Sequence, residues 1–317
     1  MAASLFPRQQ RGILLSPDPE LAELFRSLWD PAEVEWTVIE RGRRAMEIIF
    51  NEPPDVLVVD NRLADIKSSE VATIVKSENV YRQLPVILCL DPDDLEQPWN
   101  WNEIEADDFL VRPFSPTQAR ERVHLTLCRA SRAMDANPLS KLPGNTSIIQ
   151  HIQDLIERQD NFALAYCDLD YFKSFNDKYG FSRGDEVLMM TARVIVNTIR
   201  SFTGIKSFVG HVGGDDFVFI VPASLAEEAC KRVLEAFDGI VPNFYDEADR
   251  DRGAIISTDR QGEVRTFPLM ALSIAVVFNT RGRLKHYGEA SAIAMGLKKK
   301  AKENVKSCYV LDRRAQD

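Results

Sequence analysis

The sequence predicts two domains in one chain, a parallel α/β domain followed by an antiparallel-rich α+β domain, and three observations carry that expectation. The length of 317 residues exceeds what one ordinary core holds and suits two domains. Short apolar runs alternate with amphipathic stretches from Gly12 to Phe114, as βα repeats do. Beyond Asn137-Pro138 the order changes to long helices and strands joined by a Gly-Gly tip.

In the first region the strands fall at Gly12 to Ser16, Val34 to Ile39, Asp55 to Asp60, Pro85 to Leu90 and Phe109 to Arg112. Helices are expected between them, among them Pro19 to Trp29 and Arg41 to Phe50. These five βα units make a flavodoxin-like domain with a five-stranded parallel sheet, whose ligand site lies at the carboxyl ends of the strands. Asp60 is placed at such an end. Ser115-Pro116-Thr117-Gln118 reads as a helix start, with serine as N-cap, proline at the first helical position and glutamine closing a capping box. That connecting helix should span 115–136. Val123, Leu127, Ala130 and Met134 form an a/d stripe on it. The stripe suits a partner helix and suits packing on its own domain equally well.

The second region opens with a helix at Thr146 to Arg158 and a strand at Phe162 to Asp168, followed by a short helix, a loop at Gly180 to Gly184 and a long helix to Phe202. Two strands, Ser207 to Val212 and Phe217 to Val221, flank a tight turn at Gly213-Gly214. A helix from Ser224, with Glu227 closing a second capping box, leads to a polar segment at Asp246 to Arg265 and a last strand at Leu269 to Phe278. The order fits a ferredoxin-like core with an insertion.

Composition narrows the function classes. The 39 basic against 48 acidic residues give a net charge of -9, which argues against broad binding to nucleic acid or anionic membrane. Neither a signal peptide nor a membrane span is expected, so the chain reads as cytoplasmic. The five cysteines are scattered without a C-x-x-C pair, and the four histidines show no metal-ligand spacing.

The acids are patterned differently. Asp168 and Asp170 end an apolar strand and face one side of it, while Gly213-Gly214-Asp215-Asp216 forms a tip whose glycines let phosphates approach the backbone. Clustered carboxylates beside phosphate suit magnesium. Taken alone, the tip reads as well as a Gly-Gly hairpin with solvated acids.

Four linked motifs decide between these. Asn137-Pro138-Leu139-Ser140-Lys141-Leu142-Pro143-Gly144-Asn145 resembles the opening of GGDEF domains. Asp168-Leu169-Asp170-Tyr171-Phe172-Lys173 with Asn176-Asp177, then Gly184-Asp185, then Gly213-Gly214-Asp215-Asp216-Phe217 follow in that family's order. The resemblance covers 137–317 and implies a ferredoxin-like, nucleotidyl-cyclase-like domain that condenses two GTP into cyclic di-GMP, as a homodimer. It implies that Asp168, the Leu169 carbonyl and Asp215 hold two magnesium ions, manganese substituting. Asp215, Asp216 and Lys173 would be catalytic. Phe172, Lys173, Gly213 and Gly214 would receive phosphates, and Asn176 and Asp185 would read guanine, whose N1–H and N2–H donors suit a carboxylate. Among Lys298, Lys299, Lys300, Lys302 and Lys306, the pair Lys302 and Lys306 would share a helix face and contact phosphate. A solvated charge run is the other reading of those lysines.

Residues 10–128 resemble a response-regulator receiver. Pro54-Asp55-Val56-Leu57-Val58-Val59-Asp60 matches the strand ending in the phospho-acceptor, and Asp108-Phe109-Leu110-Val111-Arg112-Pro113-Phe114 the segment bearing the site's lysine. Here arginine replaces lysine, Ser16 and Pro17 stand where acids belong, and Leu90 stands at the switch position. Asp60 is the candidate phospho-acceptor, but such a reduced site should take phosphate poorly and serves as well as a platform for a sensor kinase or other protein partner. In the second domain, Asp216 stands where the family has glutamate, pulling the carboxylate back by about 1.3 Å, enough to matter to catalysis. A weak or inactive module that senses GTP or cyclic di-GMP is therefore the alternative. Gly204 and Ser207 replace the R-x-x-D of the family's product-inhibition site, so no feedback is expected there.

Overall fold

The computed structural model describes residues 8–78, 80–96, 98–258 and 264–312. The chain divides between Met134 and Asp135 into two compact units.

In the first unit the order is β1 (Gln10–Leu15), α1 (Pro19–Ser27), β2 (Val34–Ile39), α2 (Gly42–Asn51), β3 (Val56–Asp60), α3 (Ser68–Ser77), β4 (Val86–Leu90), α4 (Trp101–Ile104), β5 (Asp108–Val111) and α5 (Pro116–Asp135). The strands pair in parallel in the order β2-β1-β3-β4-β5. That is the flavodoxin-like order. Alternate residues of the sheet feed two cores: Leu14, Val58 and Ile87 meet Phe25 and Val123 on one face, and Leu15, Val59 and Leu88 meet Ile49 and Val71 on the other. Burial on both faces is why these strands read as unbroken apolar runs. Asp18 caps α1 by accepting from the N–H groups of Glu20 and Leu21. The expected capping box forms at α5, where Ser115 N–H donates to Gln118 Oε1 at 2.8 Å and Gln118 N–H to Ser115 Oγ at 3.2 Å.

The a/d stripe on α5 is mostly spent within this unit. Val123 and Leu127 are buried in its core, Ala130 is half-buried, and Met134 alone is well exposed, at 62%. No helix among the described residues is long and apolar enough to cross a membrane.

The second unit runs α6 (Asn145–Glu157), β6 (Phe162–Asp170), α7 (Phe172–Tyr179), α8 (Phe181–Arg200), β7 (Phe208–Gly213), β8 (Asp216–Pro222), α9 (Ala226–Ile240), α10 (Glu247–Arg252), β9 (Ala254–Thr258), β10 (Val264–Pro268), β11 (Ala271–Asn279), α11 (Tyr287–Ala301) and β12 (Cys308–Leu311). Its main sheet has the order β12-β11-β6-β8-β7, antiparallel except that β12 lies parallel to β11. Without β12, that is the ferredoxin-like βαββαβ arrangement. Leu169, Cys167, Phe217 and Leu272 face α7, α8 and α9, whereas Leu164, Tyr166, Val218 and Ala275 face α6 and α11.

Five local expectations need correction. The predicted loop at Gly180 to Gly184 is a single glycine break: Gly180, at φ +84°, closes α7, and α8 restarts at Phe181, so Gly184 and Asp185 are helical. No capping box forms at Ser224, because a 3-10 turn over Ala223–Leu225 precedes α9; Glu227 instead pairs with Lys231 and accepts from the Tyr309 hydroxyl. The reversal falls at Gly214-Asp215, since β7 continues through Gly213. The segment from Asp246 to Arg265 holds α10, β9 and the start of β10, with 259–263 outside the described residues. The last strand read from sequence is β11, and β12 follows it unforeseen.

Candidate active site

β6 and β8 lie side by side with Asp168 opposite Asp216, and on the other side of β6 Asp168 faces Ser273 of β11. The pleat turns Asp168, Asp170, Asp216 and Ser273 toward α11, while Leu169 turns into the opposite core. Two lysines of α11 meet these acids. Lys298 Nζ stands 2.8 Å from Asp168 Oδ2 and 2.5 Å from Asp216 Oδ1. Lys302 Nζ stands 2.8 Å from Asp168 Oδ1 and 4.0 Å from Asp170 Oδ1. Ser273 Oγ–H donates to Asp170 Oδ2.

The pair predicted to share this face was Lys302 and Lys306. That is corrected, because α11 ends at Ala301, Lys302 is its C-cap, and Lys306 lies exposed beyond the helix. Lys298 and Lys302 are the two residues one helical turn apart, and the lysine run concealed where the helix stops.

The field of the cluster is unbalanced. Burial pushes Asp168 upward, but hydrogen bonds and charge from Lys298 and Lys302 outweigh it and hold its carboxyl below the usual value. Burial raises Asp170 despite the Ser273 hydrogen bond, and the charges of Asp168 and Asp215 add to the rise. Asp216 is likewise raised, by burial first and then by Asp168, with Lys298 opposing. Both lysines lose to burial and gain more from the carboxylates, so both are raised.

These are hard oxygen donors held under mutual repulsion that a divalent cation would relieve, so the donor set fits magnesium or manganese. Among the described residues no group of three or more His, Cys, Asp or Glu side chains gathers closely enough to hold a metal ion. The carboxylates brought together are those of Asp168 and Asp216, with Lys298 between them. Asp215 joins β6 through its main chain, its carbonyl accepting from Leu169 N–H at 3.4 Å.

Beside the acids, the tip takes its shape from two glycines, Gly213 at φ +145° and Gly214 at φ +59°. At the start of α7 the Phe172 ring packs on the core and Lys173 is exposed. Asn176 on α7 lies against Gly184 on α8: a β-carbon at Gly184 would sit 1.9 Å from Asn176 Oδ1. That oxygen is buried without a hydrogen-bond partner, and Asp185, the next residue, is exposed. Sequence reasoning passed over Lys298 as a partner of the acids, and it passed over Ser273 and His211 entirely.

In the first unit Asp60 is fully buried at the end of β3. Its Oδ2 accepts from Ser16 Oγ–H at 2.6 Å and Arg112 Nη2–H at 2.8 Å, and its Oδ1 accepts from Arg62 N–H at 3.0 Å. Arg62 in turn holds Asp91 through Nε and Nη2, at 2.9 and 2.6 Å.

Residues 134–250 match the family described as "Diguanylate cyclase, GGDEF domain". From Asp135 on, that matched stretch lies within the second unit. The matched stretch ends before α11, so Lys298 and Lys302 reach the acids from beyond it. The chain is 26% identical over 212 residues to the response regulator PleD of Caulobacter vibrioides (strain NA1000 / CB15N), covering 61% of this chain and 46% of that protein. It is 28% identical over 179 residues to the diguanylate cyclase DgcZ of Escherichia coli (strain K12), covering 56% of this chain and 57% of that protein. The chain thus spans about half the length of these curated relatives. A crystal structure of diguanylate cyclase SiaD with its activator SiaC from Pseudomonas aeruginosa aligns at 20% identity and TM-score 0.41, over 62% of this chain and 70% of that one. The first unit, ahead of nearly all of the matched stretch, has the flavodoxin-like five-stranded parallel fold.

Proposed function

We propose that this protein joins two GTP molecules into cyclic di-GMP, releasing two pyrophosphates, with two GGDEF domains meeting as a symmetric dimer at least transiently. The observation that carries the reading is the half-buried Asp168–Lys298–Asp216 bridge beside a glycine tip open to phosphate.

In this reading Asn176 Oδ1, now without a partner, accepts from guanine, and Asp185 accepts from the remaining donors of the same edge. The α7 N-terminus, Lys173 and the glycine tip receive the phosphates. Lys298 and Lys302 swing from the carboxylates onto the triphosphate, leaving Asp168 and Asp216 free to act. Asp168, the Leu169 carbonyl, Asp215 and Asp216 would hold divalent cations, which when bound neutralise phosphate charge and activate the 3′-hydroxyl. Each 3′-oxygen bonds to the α-phosphorus of the other nucleotide as the bond to pyrophosphate breaks. In this reading Asp216, whose carboxyl burial holds above the usual value, takes the hydroxyl proton.

A second reading has one specific observation in its favour. Asp216 is a methylene shorter than the family's glutamate and is already engaged by Lys298 at 2.5 Å, as befits a module that binds GTP or cyclic di-GMP without turnover. Incubating the full chain with GTP and magnesium and weighing the products decides between them. Cyclic di-GMP is expected from GTP and not from ATP. Tight GTP binding with no product at any protein concentration would establish the second reading.

A further inference from the structure

The geometry points to His211 as the positioning residue that holds the glycine tip in its working shape, an inference that rests on the proposed cyclase reading. His211 lies on β7, two residues before the tip, and is 2% exposed. Its ring stacks on Phe217 of β8 with centroids 4.1 Å apart. From that shelf its two nitrogens reach opposite ways: Nε2 lies 3.0 Å from the Gly214 carbonyl oxygen, and Nδ1 lies 2.9 Å from Ser140 Oγ.

The partners fix the tautomer. A carbonyl oxygen only accepts, so Nε2 carries the hydrogen and donates to Gly214, and Nδ1 accepts from the Ser140 hydroxyl. Burial holds the imidazole below its usual pKa, in keeping with this neutral form.

The arrangement links the first and last motifs of the domain. Ser140 belongs to the Asn137–Pro143 loop, in which Asn137 Oδ1 accepts from Leu139 N–H and Ser140 N–H, each at 3.0 Å. The same loop accepts the His211 backbone N–H at the Pro143 carbonyl, at 2.9 Å. Strand pairing shifts between His211 and Gly213, so ladder hydrogen bonds hold the backbone loosely at that point. Gly213 and Gly214 have no side chains with which to anchor themselves, and beyond their immediate chain neighbours no atom lies within 4 Å of where either β-carbon would be. The imidazole is the tether that carries the rigidity of the loop into the tip. Removing it frees a turn that phosphates must meet in one shape, and displacements near 1 Å can cost about a hundredfold in rate.

The test compares full-length His211→Phe, which keeps the stack on Phe217 and loses both hydrogen bonds, with His211→Gln, which keeps a donor and an acceptor. For His211→Phe the expected result is a kcat lower by about tenfold to a hundredfold, with KM for GTP within about threefold and a melting temperature within about 4 °C of wild type. Deuterium exchange of the peptide spanning residues 208–217 should quicken, and His211→Gln should recover most of both losses. Unchanged kcat and unchanged exchange in His211→Phe would overturn the inference, as would a rate loss matched by a large fall in melting temperature. Should wild type make no product, the cyclase reading fails by itself. The exchange measurement then still decides whether His211 tethers the tip.

Discussion

Asp60 and Asp168 occupy like places in unlike units: each lies at the C-terminal end of a buried strand and each is neutralised by a cation. Their neutralisation differs in kind. Asp60 is sealed at 0% exposure under Arg112, a residue only 13% exposed, with Ser16 and the Arg62 N–H taking its remaining lone pairs. Asp168 is held by two ammonium groups on long stems, Lys298 at 23% and Lys302 at 47% side-chain exposure. A guanidinium does not deprotonate, and a buried one has little room to leave, whereas lysine stems can swing to an incoming phosphate. The first site is closed on itself and the second is poised for exchange.

The sharpest way to break this contrast is Asp168→Asn. It leaves Lys298 and Lys302 without their shared anion and, in the proposed reading, removes a donor for a divalent cation. Turnover of GTP, followed by the mass of the product, should fall by at least about 10³-fold. Retention of more than a tenth of the wild-type rate would show that the cluster does not carry the chemistry.

Arg112→Ala probes the closed site. Deleting the guanidinium strands a fully buried carboxylate, and breaking such a pair costs about 3–5 kcal/mol. The unfolding transition of the first unit should drop accordingly in a urea titration, while Arg112→Ala/Asp60→Asn recovers most of the loss. A single variant as stable as wild type would mean that Asp60 is not dependent on its partner. The sealed carboxylate is a second physical reason to expect that Asp60 takes phosphate poorly.

Each unit also buries polar side-chain atoms without a partner, among them Arg112 Nη1 in the first and Asn176 Oδ1 in the second. The second lies against a glycine and next to an exposed acid, as a base-reading acceptor should. Gly184→Ala places a methyl group 1.9 Å from that oxygen and must push it aside. Losing one buried hydrogen bond to guanine costs about 1–3 kcal/mol. KM for GTP should therefore rise by about tenfold to a hundredfold, with little change in melting temperature. An unchanged KM would detach Asn176 from substrate binding.

How much of this was legible beforehand depended on the signal each feature leaves. The parallel sheet was readable because strands buried on both faces, such as Val56–Asp60 and Val86–Leu90, are written as solid apolar runs. β12 was not, since Cys308–Leu311 is four half-buried residues directly after a lysine-rich turn. The acids of the site announced themselves through their motifs. Which two of them meet did not, because that depends on the register of β6 against β8, which the letters do not state. The end of α11 carried no glycine stop, so the choice between Lys298 and Lys306 could only be settled in three dimensions. His211 left no trace at all, since a lone histidine in a strand looks like any other core residue.

The mildest test returns to the imbalance of charge in the second site. Asp170 has a carboxyl raised above its usual value, by burial and then by its acidic neighbours, so the folded chain binds its proton more tightly than the unfolded chain does. For such a group stability is greatest below the unfolded pKa and falls as pH rises through the folded one, so at neutral pH ionised Asp170 is a small liability. Asp168 runs the other way, its lowered carboxyl adding stability that is lost as the medium turns acid. Asp170→Asn keeps an acceptor for Ser273 and deletes the charge. It should raise the melting temperature slightly at neutral pH, with the gain fading below the ordinary carboxylate range, where the wild-type group is protonated in both states. A gain that persisted undiminished into acid would show that the buried charge of Asp170 is not what the substitution relieves. Divalent cations should shrink the same gain in proportion to their occupancy, because a bound cation would stabilise the ionised carboxylate that the substitution deletes.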